Sequence, residues 1–145
     1  MREIRFRSWD TYNKEMLEVQ ELNYADSYNG QPMIRTTMYS DYFDTEDMIL
    51  MQYTGLKDKN GVEIYEGDIV KTYFNKKDAY SINTLNLKRS VNKIGKIEYI
   101  VDSFCIFIPK FGENIYPLSF FGDEIIKQIE VIGNIYDNPE LLENT

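Results

Sequence analysis

The chain contains no histidine and a single cysteine, Cys105. A Ser-His-Asp triad, a Cys-His dyad, a zinc cluster of cysteine and histidine, and an internal disulfide all need residues that are missing. Carboxylate, lysine, tyrosine and backbone chemistry remain. Long apolar runs are missing too: Met48 to Met51 and Cys105 to Ile108 fall far short of the ~20 residues a membrane helix requires. Met1 to Arg7 alternates charged with apolar residues, where a secretory signal needs a continuous apolar stretch of about 7 to 15. The expectation is a protein with no membrane partner and no export signal, and Cys105 reads as an inert core thiol. What is present is globular in kind: 145 residues, 43% hydrophobic and 28% charged, enough for one folded domain.

The net charge of -8 is unevenly spread. Between Lys71 and Lys96 seven basic side chains (Lys71, Lys76, Lys77, Lys88, Arg89, Lys93 and Lys96) face Asp78 alone, a local charge of +6 against -14 elsewhere. Such a segment is either a solvated loop that favours solubility or a contact for nucleic acid, whose phosphates would release counterions to it. The solvated loop is the reading favoured.

Periodicity makes the chain mainly β. Ile4, Phe6 and Ser8 alternate with Arg5, Arg7 and Trp9, the two-residue period of a half-buried strand, and Asp10 to Asn13 supplies turn chemistry. An opening hairpin follows if Met16, Leu17 and Val19 form the return strand, although Met16, Val19 and Leu22 also recur at helical spacing. Residues 23–47, polar and tyrosine-rich with a turn at Asn29-Gly30 and a restriction at Pro32, read as a long irregular excursion. Met48 to Tyr53 and Asp68 to Phe74 suit strands, with Asn60-Gly61 offering the positive φ angles of a tight turn and Glu66-Gly67 launching the second strand.

Residues 75–93 read as a variable basic loop or a protruding hairpin. Ile94 to Val101 and Phe104 to Ile108 suit a hairpin linked by Asp102-Ser103, with a further strand near Ile115 to Leu118. Asp123 to Ile129 suits a helical turn, and Glu130 to Tyr136 a strand interrupted by Gly133. Asn138-Pro139-Glu140 places an N-cap before a proline at the first helical position, predicting a short terminal helix. Ile69, Ile97, Ile106 and Ile135 are expected to share one core.

Four segments carry a family resemblance: Phe6-Arg7-Ser8-Trp9-Asp10; Met51 to Gly61, reading Met-Gln-Tyr-Thr-Gly-Leu-Lys-Asp-Lys-Asn-Gly; Ile64-Tyr65-Glu66-Gly67-Asp68-Ile69-Val70; and Val131-Ile132-Gly133-Asn134-Ile135-Tyr136 leading into Asn138-Pro139-Glu140-Leu141-Leu142. In that order and spacing the chain resembles the YopX-type proteins of bacteriophages and prophages of low-GC Gram-positive bacteria. The resemblance covers nearly the full length apart from residues 23–47 and 75–93, and Ser8 stands where the family more often has Ala. It implies one compact domain over residues 1–145, mostly β with a barrel-like core and short helical turns only, of phage origin; with no export signal or membrane helix read above, the expected place is the cytoplasm of the bacterial host cell. It carries over no catalytic residue and no cofactor.

The candidate sites therefore stand on their own chemistry. Arg5, Arg7 and Trp9 share a strand face on which two guanidinium groups beside an indole can grip a phosphate or stack a base; the reading favoured pairs the arginines with acids from the middle of the chain and lays Trp9 on the core edge. Lys88, Arg89, Lys93 and Lys96 are the candidate phosphate contacts of the basic segment. Asp41, Asp44, Glu46 and Asp47 crowd carboxylates but lack the alternating acids and sixth-position glycine of a calcium loop. Glu63, Glu66 and Asp68 have the oxygen chemistry of a Mg²⁺ site, or else cap a turn through backbone N–H groups. Gly55 and Gly67 read as turn glycines. The reading favoured is a binding or interaction module without catalysis, holding no metal and engaging an unidentified protein partner. A homo-oligomer is expected, because hydrophobic strand edges need covering and tyrosines suit interfaces. A nucleic-acid-binding module is the alternative and a carboxylate-metal hydrolase the second alternative.

Overall fold

The computed structural model describes residues 3–73, 93–108, 114–120 and 127–143. Among them the strands are β1 (Phe6–Asp10), β2 (Glu15–Tyr28), β3 (Gln31–Thr36), β4 (Met48–Lys57), β5 (Glu63–Tyr65), β6 (Asp68–Thr72), β7 (Lys93–Ile100), β8 (Ser103–Ile108), β9 (Asn114–Pro117) and β10 (Ile129–Asn134). They make two antiparallel sheets, ordered β3-β2-β1-β4-β5 and β10-β6-β7-β8-β9. Helix among the described residues is confined to a 3₁₀ turn at Leu118–Phe120 and one turn at Glu140–Glu143. The mainly β class is as expected, but the barrel-like closure is not, since both sheets stay open. At β10 the reason is local: the Ile129 carbonyl accepts from the Lys59 N–H at 2.9 Å and the Val131 N–H donates to Asp58 Oδ2 at 2.9 Å. Groups that closure would have to pair with another strand are already taken.

The chain divides into two units, Met1–Gly55 and Leu56–Thr145. In the first, the Asp10 carbonyl accepts from the Lys14 N–H at 3.0 Å and Lys14 takes a φ of 59°, which turns β1 into β2. Ser8 lies opposite Leu17 on β2 and Leu50 on β4. Directly opposed residues of antiparallel strands share a face, so this face holds the apolar cluster of Leu17, Ile34 and Met48, against which Val19, Leu22, Tyr39, Phe43 and Leu50 pack. Helical spacing in Met16 to Leu22 is overridden by that pairing.

Residues 23–47 require a correction. β2 runs on to Tyr28, Asn29 and Gly30 both take positive φ (50° and 76°) as a two-residue hairpin turn demands, and β3 returns with Pro32, Ile34 and Thr36 buried at alternate positions. Pro32 is tolerated because β3 is the outermost strand of its sheet. Alternation was hard to see because the β2–β3 register shifts twice, between Val19 and Glu21 and between Asn23 and Tyr28. Beyond β3 the chain folds back, with Ile34 and Phe43 exchanging both backbone bonds at 2.7 and 2.8 Å.

The second unit centres on Ile64, Val70, Ile97, Phe104, Ile106, Ile108, Leu118 and Ile129. Ile97 lies opposite Ile106, but the expected companions differ: Ile69, although fully buried, lies opposite Lys96 on the other face, and Ile135 is half-buried. The turn at Asn60-Gly61 takes positive φ only at Gly61 (82°), because the reversal is wider than two residues, with the Asp58 N–H donating to the Val62 carbonyl at 2.7 Å. β7 and β8 are joined by Val101-Asp102, one residue earlier than expected, since Ile100 pairs with Ser103. Val101 takes a φ of 61° and is 94% exposed, a left-handed conformation that a β-branched residue rarely adopts. Gly133 marks the register shift in β10 as anticipated, and the terminal helix starts where Asn138 and Pro139 place it, the Leu141 N–H donating to the Asn138 carbonyl at 3.1 Å. The readings of Phe74, residues 75–91 and Asp123 to Ile126 lie outside the described residues.

Candidate functional site

Alternation on β1 does put Arg5, Arg7 and Trp9 on one side of the chain, but the surface is packed. Trp9 is only 4% exposed, so its ring is not open to a base. The Arg5 guanidinium lies 4.8 Å from the Tyr53 ring centroid, and its Nε sits 2.9 Å from the Glu3 carboxylate. Arg7 faces Glu18 on β2 and Met51 on β4. Lys88 and Arg89 lie outside the described residues. Lys93 and Lys96 stand three residues apart on β7 and so project from opposite faces, Lys93 opposite Thr72 and Lys96 opposite Phe107. Burial pushes the Lys93 ammonium pKa down, while Lys96 pairs with Glu98 and lies 5.3 Å from the Phe107 ring centroid. These two lysines do not converge on one ligand.

The carboxylate clusters are used by the backbone. Asp44 Oδ1 accepts from the N–H groups of Glu46 and Asp47 at 2.8 and 3.1 Å, and Asp41, Glu46 and Asp47 point to solvent. Asp68, 1% exposed, accepts from the Tyr65 N–H at 2.8 Å, closing the Glu66-Gly67 turn. Glu63 accepts from the Tyr65 hydroxyl at 2.9 Å and lies 3.9 Å from Lys57 Nζ. Asp58 ties its own turn, accepting from Asn60 and Val62, to β10 through Val131. Among the described residues no three or more His, Cys, Asp or Glu side chains are grouped to hold a metal.

The site that does assemble lies in the first unit, where β1 ends, β4 begins and the segment after β3 folds back. Asp10, Tyr12, Asn13, Tyr39, Phe43, Asp47 and Met48 line a recess of about 300 Å³, at the small end of ligand-binding pockets. Met48, one of the lining residues, is buried, and the Tyr39 and Phe43 rings stand 5.4 Å apart at 60°. Asp10, 3% exposed, accepts from the Tyr12 and Asn13 N–H groups at 2.8 Å each through Oδ1, and from Asn13 Nδ2 at 3.0 Å and the Tyr39 hydroxyl at 3.3 Å through Oδ2. Burial alone would raise the Asp10 pKa, but the bonds from Asn13, Tyr12 and Tyr39 together outweigh it and hold the carboxyl below its ordinary value. Tyr39 moves up, through burial first and then the nearby Asp10 and Glu15 charges. The Asp47 carbonyl fixes the rim by accepting from the Thr11 N–H and hydroxyl at 3.0 Å each.

In the sequence Asp10 and Asn13 read only as turn residues, and Tyr39 and Phe43 fall inside a stretch that reads as irregular. The available signal was the density of aromatic residues, Tyr39, Tyr42 and Phe43, in an otherwise polar loop next to the buried start of β4. Polar loops that carry several rings usually fold them back onto something.

Fold and site together define a small antiparallel β protein in which Asp10, Asp44, Asp58 and Asp68 organise turns and an aromatic recess combines rings with acidic residues. The family described as "YopX protein" matches residues 5–143, and the chain belongs to that family. It is also similar to a solved structure, the crystal structure of protein EF1440 from Enterococcus faecalis, at 32% identity and a TM-score of 0.59, covering 98% of this chain and 99% of that one. No curated protein matches the chain. Among the described residues no helix is long and apolar enough to cross a membrane.

Proposed function

We propose that this chain is an accessory protein of phage or prophage origin that acts by binding, without catalysis, in the bacterial cytoplasm. The observation that carries the reading is how its acids are spent: Asp10, Asp44, Asp58 and Asp68 each accept backbone N–H bonds that close a turn. A carboxylate held that way is a poor proton carrier, because protonation would break the turn it holds. Family membership and the likeness to a bacterial protein support the setting, and the four matching segments support the phage origin. A homo-oligomer with a protein partner belongs to this reading, the exposed Tyr24, Tyr42 and Tyr99 offering amphipathic contact area.

The test has two arms. Purified protein is incubated with Mg²⁺ or Mn²⁺ and single- and double-stranded DNA, RNA and activated phosphate esters; no turnover is expected. Turnover abolished by Glu63→Gln or Glu66→Gln would overturn the reading in favour of a hydrolase. Affinity capture from infected or induced cells, with light scattering for stoichiometry, then identifies the partner.

A further inference from the structure

We propose that the recess between Tyr39, Phe43 and Asp47 binds an organic ammonium group, the cationic head of a small amine. This deepens the binding reading given above and rests on it. Three observations converge, all within the first unit. Tyr39 and Phe43, whose rings stand at 60° to one another, both line the recess, and the electron-rich faces of aromatic rings attract a cation that has lost its water. Two acidic residues, the buried Asp10 and the exposed Asp47, are among those that line the recess. Among the described residues the Asp47 carboxylate has no hydrogen-bond or ion-pair partner, so its charge is available to the recess.

The same details exclude the competing ligands. An anion would meet two negative charges. A hard divalent cation needs about six oxygen ligands, whereas both Asp10 oxygens already accept two hydrogen bonds each and Phe43 and Met48 offer none. An alkylated ammonium ion satisfies all of the lining at once, with methyl groups against Phe43, Tyr39 and Met48 and positive charge toward Asp10 and Asp47. The surroundings agree in sign: Met1–Gly55 carries ten acidic against five basic side chains.

The experiment titrates choline into the isotopically labelled full chain and follows backbone amide shifts, with 3,3-dimethylbutan-1-ol as a probe of the same shape and no charge. Saturable shifts at Asn13, Tyr39, Phe43 and Asp47 are expected with choline, and at least tenfold weaker ones with the neutral alcohol. Asp47→Asn, an exposed change that leaves the fold intact, should weaken choline about fivefold, and Phe43→Leu should weaken it further. An Nε-trimethyllysine peptide run in parallel distinguishes a modified side chain from a free amine as the source of the group. Equal binding of alcohol and choline, shifts elsewhere, or no shifts at all would overturn the inference. None of these would produce the hydrolytic turnover that overturns the binding reading, so the two failures are distinct.

Discussion

The two units bury different things. The second centres on a cluster of aliphatic side chains, Ile64, Val70, Ile97, Ile106, Ile108, Leu118 and Ile129, joined by Phe104. The first has a smaller cluster, Leu17, Ile34 and Met48, with Ser8, Thr36 and Asp10 buried alongside it, while Trp9, Met51 and Tyr53 are buried outside that cluster; the second also buries Asp58, Asp68 and Thr72, but none of them belongs to its aliphatic cluster. An aliphatic face is stabilised without regard to direction and packs to high density. Polar groups must instead be satisfied at fixed angles, and meeting those angles around Asp10 leaves space that side chains do not fill. The lesson is a division of labour, with stability concentrated where the chemistry is bland and a recess kept where it is demanding.

The sharpest way to break that contrast is Ile106→Ala. Truncating a side chain 1% exposed should cost ~2 to 5 kcal/mol, read as a shift in the urea midpoint. A cost below ~1 kcal/mol would mean that the second sheet is not where stability resides. Asp58→Ala comes next. It strips acceptors from the N–H groups of Asn60, Val62 and Val131, at ~1 to 3 kcal/mol, and Asp58→Asn should recover part of that loss.

Asp10→Asn sharpens the comparison through pH. Because the folded Asp10 pKa is lowered, its contribution is fully present above the unfolded value and is lost as pH falls through the folded one. The parent should therefore lose stability on acidification more steeply than the variant, with denaturation midpoints measured from neutral to acid pH. Identical slopes would show that the Asp10 bonds do not bias folding. The smallest effect has the opposite sign: Val101→Gly should stabilise by ~0.5 to 1 kcal/mol, because glycine takes the positive φ at this exposed tip without strain while adding some chain entropy. A thermal midpoint that fell instead would mean that the Val101 side chain makes a contact worth more than the strain.

How much of this was readable follows from the same physics. Alternation at Phe6 to Trp9 and in the β7–β8 hairpin reports strands faithfully, because both segments pair without interruption, whereas Ile4 and Arg5 precede β1. β2 and β3 were obscured by their register shifts, which scramble the period that sequence reading relies on. Trp9 is buried, as the reading that lays it on the core edge expects, although an indole beside two arginines also has the chemistry of a binding residue; burial is decided by what lies across the strand, which is not local information. Lys93 and Lys96 were grouped by charge along the chain, whereas a strand sends residues three apart to opposite sides. The recess was invisible for a related reason: its walls come from positions 10–13, 39–43 and 47–48, brought together only when Phe43 pairs with Ile34.

The turn held by Asp58 has one more consequence, for how copies of this chain can meet. A sheet margin with free N–H and carbonyl groups invites a strand from another molecule, the first step of both ordered assembly and aggregation. With Ile129 and Val131 already engaged by Lys59 and Asp58, the β10 margin is closed to such recruitment. Self-association by strand addition must therefore proceed elsewhere, and a chain that loses Asp58 acquires a sticky margin, so its first symptom in solution should be concentration-dependent association at temperatures where it is still folded.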